Sequence, residues 1–259
     1  MRQPAVRSAS DIWVPVIRPA SGTCRIRLIC FPYAGGGPDL FRTWADGLDD
    51  GVELLAVRLP GRGPRLREPL YESWKPLIAD TYKALSSAGC LTGPHAFFGH
   101  SFGARLAYET ARLAAEALPG TTRRLFVAGS RSPDHPQHRP YLHELPHERY
   151  VEAVRAMGGT PAEILDNRAM MRLFLPAMRS DMRLAELWGD RHGRSPMDVP
   201  ITALYGRDDP IDGRAAMRGW RRCTRRQTEL LELPAGHFFL ETHRELLLET
   251  INDRLVSTV

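Results

Sequence analysis

The sequence predicts an α/β fold built on a mostly parallel sheet with helices on both faces. Three observations lead there. Short apolar runs rich in β-branched and aromatic residues recur along the chain. Helical patterns alternate with these runs, and the runs are apolar on both faces, as strands covered from two sides require.

The strand candidates are RIRLICF (25–31), VELLAVRL (52–59), HAFFG (95–99), RRLFVAG (123–129), ITALYG (201–206) and TELLEL (228–233). Each ends in turn residues. The clearest helix follows residue 101, where Ala104, Ala107, Ala111, Ala114 and Leu118 fall at steps of three or four and Pro119-Gly120 stops the run. A second helix is expected over 238–256, with Leu240, Leu247, Ile251 and Leu255 on one stripe.

One stretch breaks the alternation. From about 141 to 190 the pattern is helical, in HELPHERYVEAVRAM (143–157) and NRAMMRLFLPAMRSDMRLAEL (167–187), and no strand run interrupts it. Gly158-Gly159-Thr160-Pro161 separates the two pieces, and Pro176 is expected to kink the second. The stretch is too short for a large core of its own, so it reads as a helical insertion into one domain spanning 1–259. Its apolar residues, among them Met157, Ile164, Leu173, Leu175, Met178 and Leu184, exceed the needs of a solvated helix and suggest a lid over the strand ends.

Composition narrows the function. At 259 residues, 43% hydrophobic and 25% charged, the chain has ordinary globular usage. No run of 18 apolar residues is free of charge, and the N-terminal stretch lacks the apolar core of a secretory signal. A cytoplasmic protein, monomeric and without membrane contact, is therefore expected. The net charge is +5, yet no block of five or six basic residues exists, which argues against nucleic acid and fits an acidic protein partner as well. Cys24, Cys30, Cys90 and Cys223 form no C-x-x-C, so neither zinc nor a dithiol site is indicated. Gly35–Gly37 hints at a dinucleotide loop, but Leu40 stands where the third glycine of G-x-G-x-x-G belongs.

The chemistry concentrates in three places. Gly99-His100-Ser101-Phe102-Gly103 is a G-x-S-x-G pentapeptide between a strand and a helix, the context in which a strained turn presents a nucleophilic serine. Asp208 and Asp209 follow the strand 201–206, and His237 follows the strand 228–233 on a glycine turn. Both groups thus lie past carboxyl ends of strands, where open α/β sheets build sites. The order Ser, acid, His is that of α/β-hydrolases. Successive residues on an extended turn point apart, so one of the two aspartates should face the histidine; G-x-x-D favours Asp209 and leaves Asp208 open. Two oxyanion donors are expected: the N–H of Phe102, and an N–H from the glycine-rich loop 31–37, that of Ala34 or alternatively Tyr33.

FPYAGGG (31–37), LPGRGPR (59–65), FFGHSFGA (97–104), LYGRDDP (204–210) and PAGHFFL (234–240) together resemble the type II thioesterases, which accompany polyketide synthases and nonribosomal peptide synthetases. LPHERYVEAVRAMGGTPAEIL and LPAMRSDMRLAE resemble that family's helical lid, and the likeness runs from about residue 11 to 256. It implies an α/β-hydrolase fold, nucleophile Ser101, base His237 and acid Asp209. It also implies a substrate, an acyl group on the phosphopantetheine arm of a carrier protein, and no cofactor or metal. Phe102 departs from the methionine or leucine commoner there, which keeps the backbone donor but narrows the pocket. A general ester or acyl-CoA hydrolase and a non-catalytic binding protein of the same fold are the other readings; the second would lack part of the triad.

Overall fold

The computed structural model describes residues 12–189 and 195–256. The first residues of the N-terminal stretch, 1–11, and the last residue expected in the insertion, 190, lie outside them. Seven strands form one sheet: β1 (Val16–Arg18), β2 (Ile26–Phe31), β3 (Val52–Ala56), β4 (His95–His100), β5 (Thr122–Ala128), β6 (Ile201–Gly206) and β7 (Thr228–Leu233), in the order β1-β3-β2-β4-β5-β6-β7. Every neighbouring pair is parallel except β1 with β3. All six expected strands are present within a few residues. The unforeseen β1 is three residues long between Pro15 and Pro19, too short for any period to show.

Alternation along the strands divides the core. Ile29, Phe31, Phe97, Leu125, Val127, Ile201 and Ala203 face one side. There they meet α1 (Trp74–Ser87) through Leu77 and Leu85, and α2 (Phe102–Ala117) through Leu106, Ala107 and Ala111. Leu28, Cys30, Leu54, Phe98, Phe126 and Leu204 face the other side, against Phe41 and Trp44 and against Leu247, Ile251 and Leu255 of the last helix. A strand buried on both faces has no polar face to show, which is why these runs read as continuous apolar segments. Residues 102–111 of α2 are all buried, so the helix next to the sheet has to be rich in alanine.

Between β5 and β6 lie α3 (His147–Met157), α4 (Ala162–Leu165) and α5 (Arg168–Leu187), the helical insertion. A small apolar cluster of its own joins Tyr150, Val154, Leu165, Met171 and Met178. The Asn167 side chain caps α5 by accepting the N–H groups of Ala169 and Met170 at 3.0 and 3.1 Å. Several local expectations change. The segment 143–157 opens with a short 3₁₀ turn and becomes α-helical only at His147, and Leu173 is 52% exposed, outside the covering set. Helix α5 is continuous through Pro176. After α6 (Arg214–Met217), the expected last helix divides at His243 into α7 (Phe239–Thr242) and α8 (Arg244–Val256).

The topology locates the site. The chain passes from β2 outward to β3, then crosses back over β2 to reach β4, so the winding direction reverses between β2 and β4. At such a switch point the loops leaving neighbouring strands part and open a crevice at the carboxyl end of the sheet. The loop after β2 and the turn after β4 border it.

Candidate active site

Ser101 stands at the turn from β4 into α2 with φ 54° and ψ −117°, the single non-glycine residue with positive φ among the described residues. Such a conformation is strained for a residue with a Cβ and persists only where the surroundings enforce it. Here they do. The Ser101 N–H donates to the Ala128 carbonyl at 2.8 Å, and both flanking glycines are squeezed. A Cβ at Gly99 would collide with the Gly103 carbonyl, and one at Gly103 with the Phe31 carbonyl. The spacing of G-x-S-x-G therefore records two close backbone approaches on either side of the serine.

His237 follows β7 and is 4% exposed. Its Nδ1 donates to Asp209 Oδ2 at 2.8 Å, and Asp209 Oδ1 accepts the N–H groups of Ile211 and Asp212 at 2.7 and 3.2 Å. Burial pushes the Asp209 carboxyl pKa up. The hydrogen bond and charge of His237, with the two N–H donors, outweigh burial and hold it below the ordinary carboxylate range. Asp208, the competing acid, is exposed.

Ser101 and His237 line one cavity with Tyr33, Ala34, Met178 and Phe238, a cleft of about 620 Å³ counted to its open mouth. No hydrogen bond joins the Ser101 hydroxyl to His237 in this conformation. The carbonyl of Tyr33 accepts the Gly36 N–H at 2.9 Å, and Gly35 has φ 79°, the pattern of a type II turn with glycine at its third position. Ala34 occupies the second position of that turn. Among the described residues, no protein acceptor takes its N–H, and the N–H of Phe102 lies in the first turn of α2, where no intrahelical partner exists. The Tyr33 N–H, the alternative donor, likewise has no protein acceptor among the described residues, while the Tyr33 hydroxyl donates to Glu241 Oε1 at 2.7 Å.

For several groups in and behind this cavity the sequence indicates no role. His100 is fully buried, and its Nε2 donates to the His237 carbonyl at 2.8 Å. Burial, then the neighbouring His237, lowers the His100 pKa to about 3, so it stays neutral and fixes the backbone of the turn that carries His237. Arg105 reaches across from α2 to Asp212 at 3.0 Å and to Ser130 at 3.0 Å, bracing the loop that bears Asp209. Glu186 lines the cavity and accepts from the N–H of Leu142 and the ring of His143. His143 is thereby bound in a pair. These contacts join distant segments: His100, His237 and Glu186 fall within motifs quoted above, but no motif shows which segments meet.

A thioesterase-domain family profile matches residues 26–255, nearly the whole chain. The chain belongs to the thioesterase family. Thioesterase PikA5 of Streptomyces venezuelae is 34% identical over 249 residues, covering 96% of this chain and 87% of that one. RedJ, a thioesterase from the prodiginine biosynthetic pathway in Streptomyces coelicolor, superposes with TM-score 0.84 at 36% identity, covering 97% of this chain and 96% of its own. The type II thioesterase BorB from the borrelidin biosynthetic cluster superposes with TM-score 0.81 at 32% identity, covering 96% and 98%. The thioesterase is an enzyme with the α/β-hydrolase fold, as the sequence predicts. None of its described helices is long and apolar enough to cross a membrane.

Proposed function

We propose that this thioesterase is an editing enzyme of polyketide or nonribosomal peptide assembly, which hydrolyses stalled or aberrant acyl groups from the phosphopantetheine arm of carrier proteins. One observation carries the chemical part of the reading: the buried His237–Asp209 pair opens onto the cavity that holds Ser101 on its strained turn. The similarity to PikA5, RedJ and BorB carries the substrate class.

In this mechanism Ser101 Oγ attacks the thioester carbonyl while His237 Nε2 takes its proton. Asp209 holds the Nδ1–H tautomer, which leaves the lone pair on Nε2, and stabilises the imidazolium as it forms. The developing oxyanion accepts the N–H groups of Phe102 and Ala34, with the amino end of α2 directed at it. The C–S bond breaks, the pantetheine sulfur leaves with the proton from His237, and an acyl-Ser101 ester remains. Water, deprotonated by His237 Nε2, then attacks this ester, the bond from the acyl carbon to Ser101 Oγ breaks, Oγ takes the proton back from His237, and the free acid is released. The insertion α3–α5 serves as the lid of the acyl chamber.

The test is a panel of acyl groups presented on carrier protein, on coenzyme A and on a short pantetheine mimic. The carrier-bound form is expected to give the highest kcat/KM, and mass spectrometry of quenched enzyme should find the acyl group on Ser101. Equal kcat/KM for all three presentations would replace the carrier-directed reading with a general acyl thioesterase.

A further inference from the structure

The turn that bears Ala34 is gripped from behind by a buried ion pair. Asp181 of α5 and Arg62 of the LPGRG segment contact each other through Arg62 Nη2 and Asp181 Oδ2, and both side chains are 7% exposed. The same Oδ2 accepts the Gly35 N–H at 2.9 Å, and Arg62 Nε donates to the Gly36 carbonyl at 2.6 Å. Arg62 Nη1 donates to the Pro60 carbonyl at 2.6 Å, tying the pair to its own loop. Gly35 and Gly36 of the turn are thus held, one by a carboxylate and one by a guanidinium, while the Ala34 N–H just before them has no protein acceptor among the described residues. Burial, then the nearby Arg65, lowers the Arg62 pKa to about 10, which leaves it charged at neutral pH.

Helix α5 is also seated directly on both loops. A Cβ at Gly35 would lie 3.1 Å from Met178 Cβ, and one at Gly61 would lie 2.8 Å from Ala177 Cβ. Ala177, Met178 and Asp181 occupy about one turn of α5, and Met178 and Met182 of that helix line the acyl cavity.

We infer that Asp181 and Arg62 are positioning residues for the oxyanion hole, and that through them the helix that walls the acyl chamber sets the Ala34 N–H. The inference rests on Ala34 being an oxyanion donor. Removing the carboxylate leaves the Gly35 N–H and a buried guanidinium without their shared acceptor, and the turn loses its fixed orientation. The cost falls on the transition state, because the ground-state carbonyl makes weaker use of these donors than the oxyanion does.

The experiment uses the whole chain with Asp181→Asn, Arg62→Gln, the double variant and the milder Arg62→Lys. Active sites are titrated with a fluorophosphonate whose site of labelling is mapped, and kcat and KM are measured per labelled site on a short acyl-pantetheine thioester. Asp181→Asn and Arg62→Gln are each expected to lower kcat per site by about 10²-fold, the scale of one lost oxyanion donor, with KM within about threefold. The double variant is expected to lose little more than either single, since both act through one turn. Arg62→Lys keeps the charge but cannot span the three acceptors, and should lose about tenfold; it carries the test if the harsher variants fail to fold. A kcat per labelled site within about threefold of the parent in the folded variants overturns the inference and marks the pair as structural. Labelling away from Ser101 would instead overturn the assignment of the nucleophile, so the two failures are distinct.

Discussion

The Asp209 carboxylate is shared between His237 and its own loop: Oδ2 meets His237 Nδ1 at 2.8 Å, and Oδ1 takes the N–H groups of Ile211 and Asp212. The second set of bonds aims the first. An acid held in this way cannot rotate off the imidazole without breaking three hydrogen bonds, so the tautomer of His237 is set before substrate arrives.

It follows that Asp209→Asn should reduce kcat by about 10⁴-fold, because an amide at this position favours the wrong imidazole tautomer. Asp208→Asn, at an exposed position beside it, should stay within about twofold. Steady-state rates of the two variants side by side check this, and the reverse ranking would assign the acid to Asp208.

Ser101→Ala and His237→Ala should each lower thioester turnover by on the order of 10⁵–10⁶-fold, and the double variant should be scarcely worse, since the groups act as a unit. Circular dichroism should show the folded content unchanged. Turnover near the parent level in a folded Ser101→Ala would remove the covalent mechanism.

His100 should make stability depend on pH. Its pKa is about 3 in the folded state, against an ordinary value of 6.5, so between these values the unfolded chain binds a proton that the folded chain refuses. The stabilisation is complete above about pH 6.5 and declines as pH falls toward 3, by up to about 1.4 kcal/mol per pH unit. His100→Gln can still donate to the His237 carbonyl and does not titrate. Urea midpoints from pH 7 to 4.5 should therefore fall more steeply for the parent than for the variant; parallel curves would exclude His100 as the source.

The insertion should not move as one piece. From residue 177 onward α5 is tied to the sheet-bearing part of the chain. Ser180 donates to the Tyr71 carbonyl at 3.0 Å, Arg183 to that of Glu72 at 2.6 Å, and Trp74 to that of Leu184 at 2.8 Å. Helices α3 and α4 pack mainly within their own small cluster. Hydrogen exchange should accordingly be faster in 147–165 than in 177–187, and a bound non-hydrolysable acyl-pantetheine should slow it in the first segment. Uniform exchange across both segments would make the insertion a rigid cap.

Met178→Ala should enlarge the chamber beside the turn at Gly35, raising kcat/KM for long or bulky acyl groups relative to short ones. Its cost in stability should be about 2–4 kcal/mol, as for other buried methionines cut to alanine. An unchanged acyl preference would place the chain elsewhere in the cleft.

Local order was legible in the amino-acid sequence because its causes are local. Strands buried on two faces must be continuously apolar, a helix pressed on a sheet must be narrow, and a serine on a strained turn needs glycine where two backbones meet. Those demands made the six strands, the alanine-rich α2, the insertion between β5 and β6 and the G-x-S-x-G turn readable from residue types and spacing. The approximate places of Asp209 and His237 followed from strand ends. What only the tertiary structure decided were contacts between segments far apart in the chain. Among them are His100 behind the His237 backbone, and Asp181 with Arg62 behind the turn at Ala34. Asp181 falls within LPAMRSDMRLAE, yet nothing in that stretch marks Gly35, 146 positions away, as its contact. Its partner is chosen by how α5 lies across the loops after β2 and β3, and that geometry exists only once the sheet and the insertion have packed together.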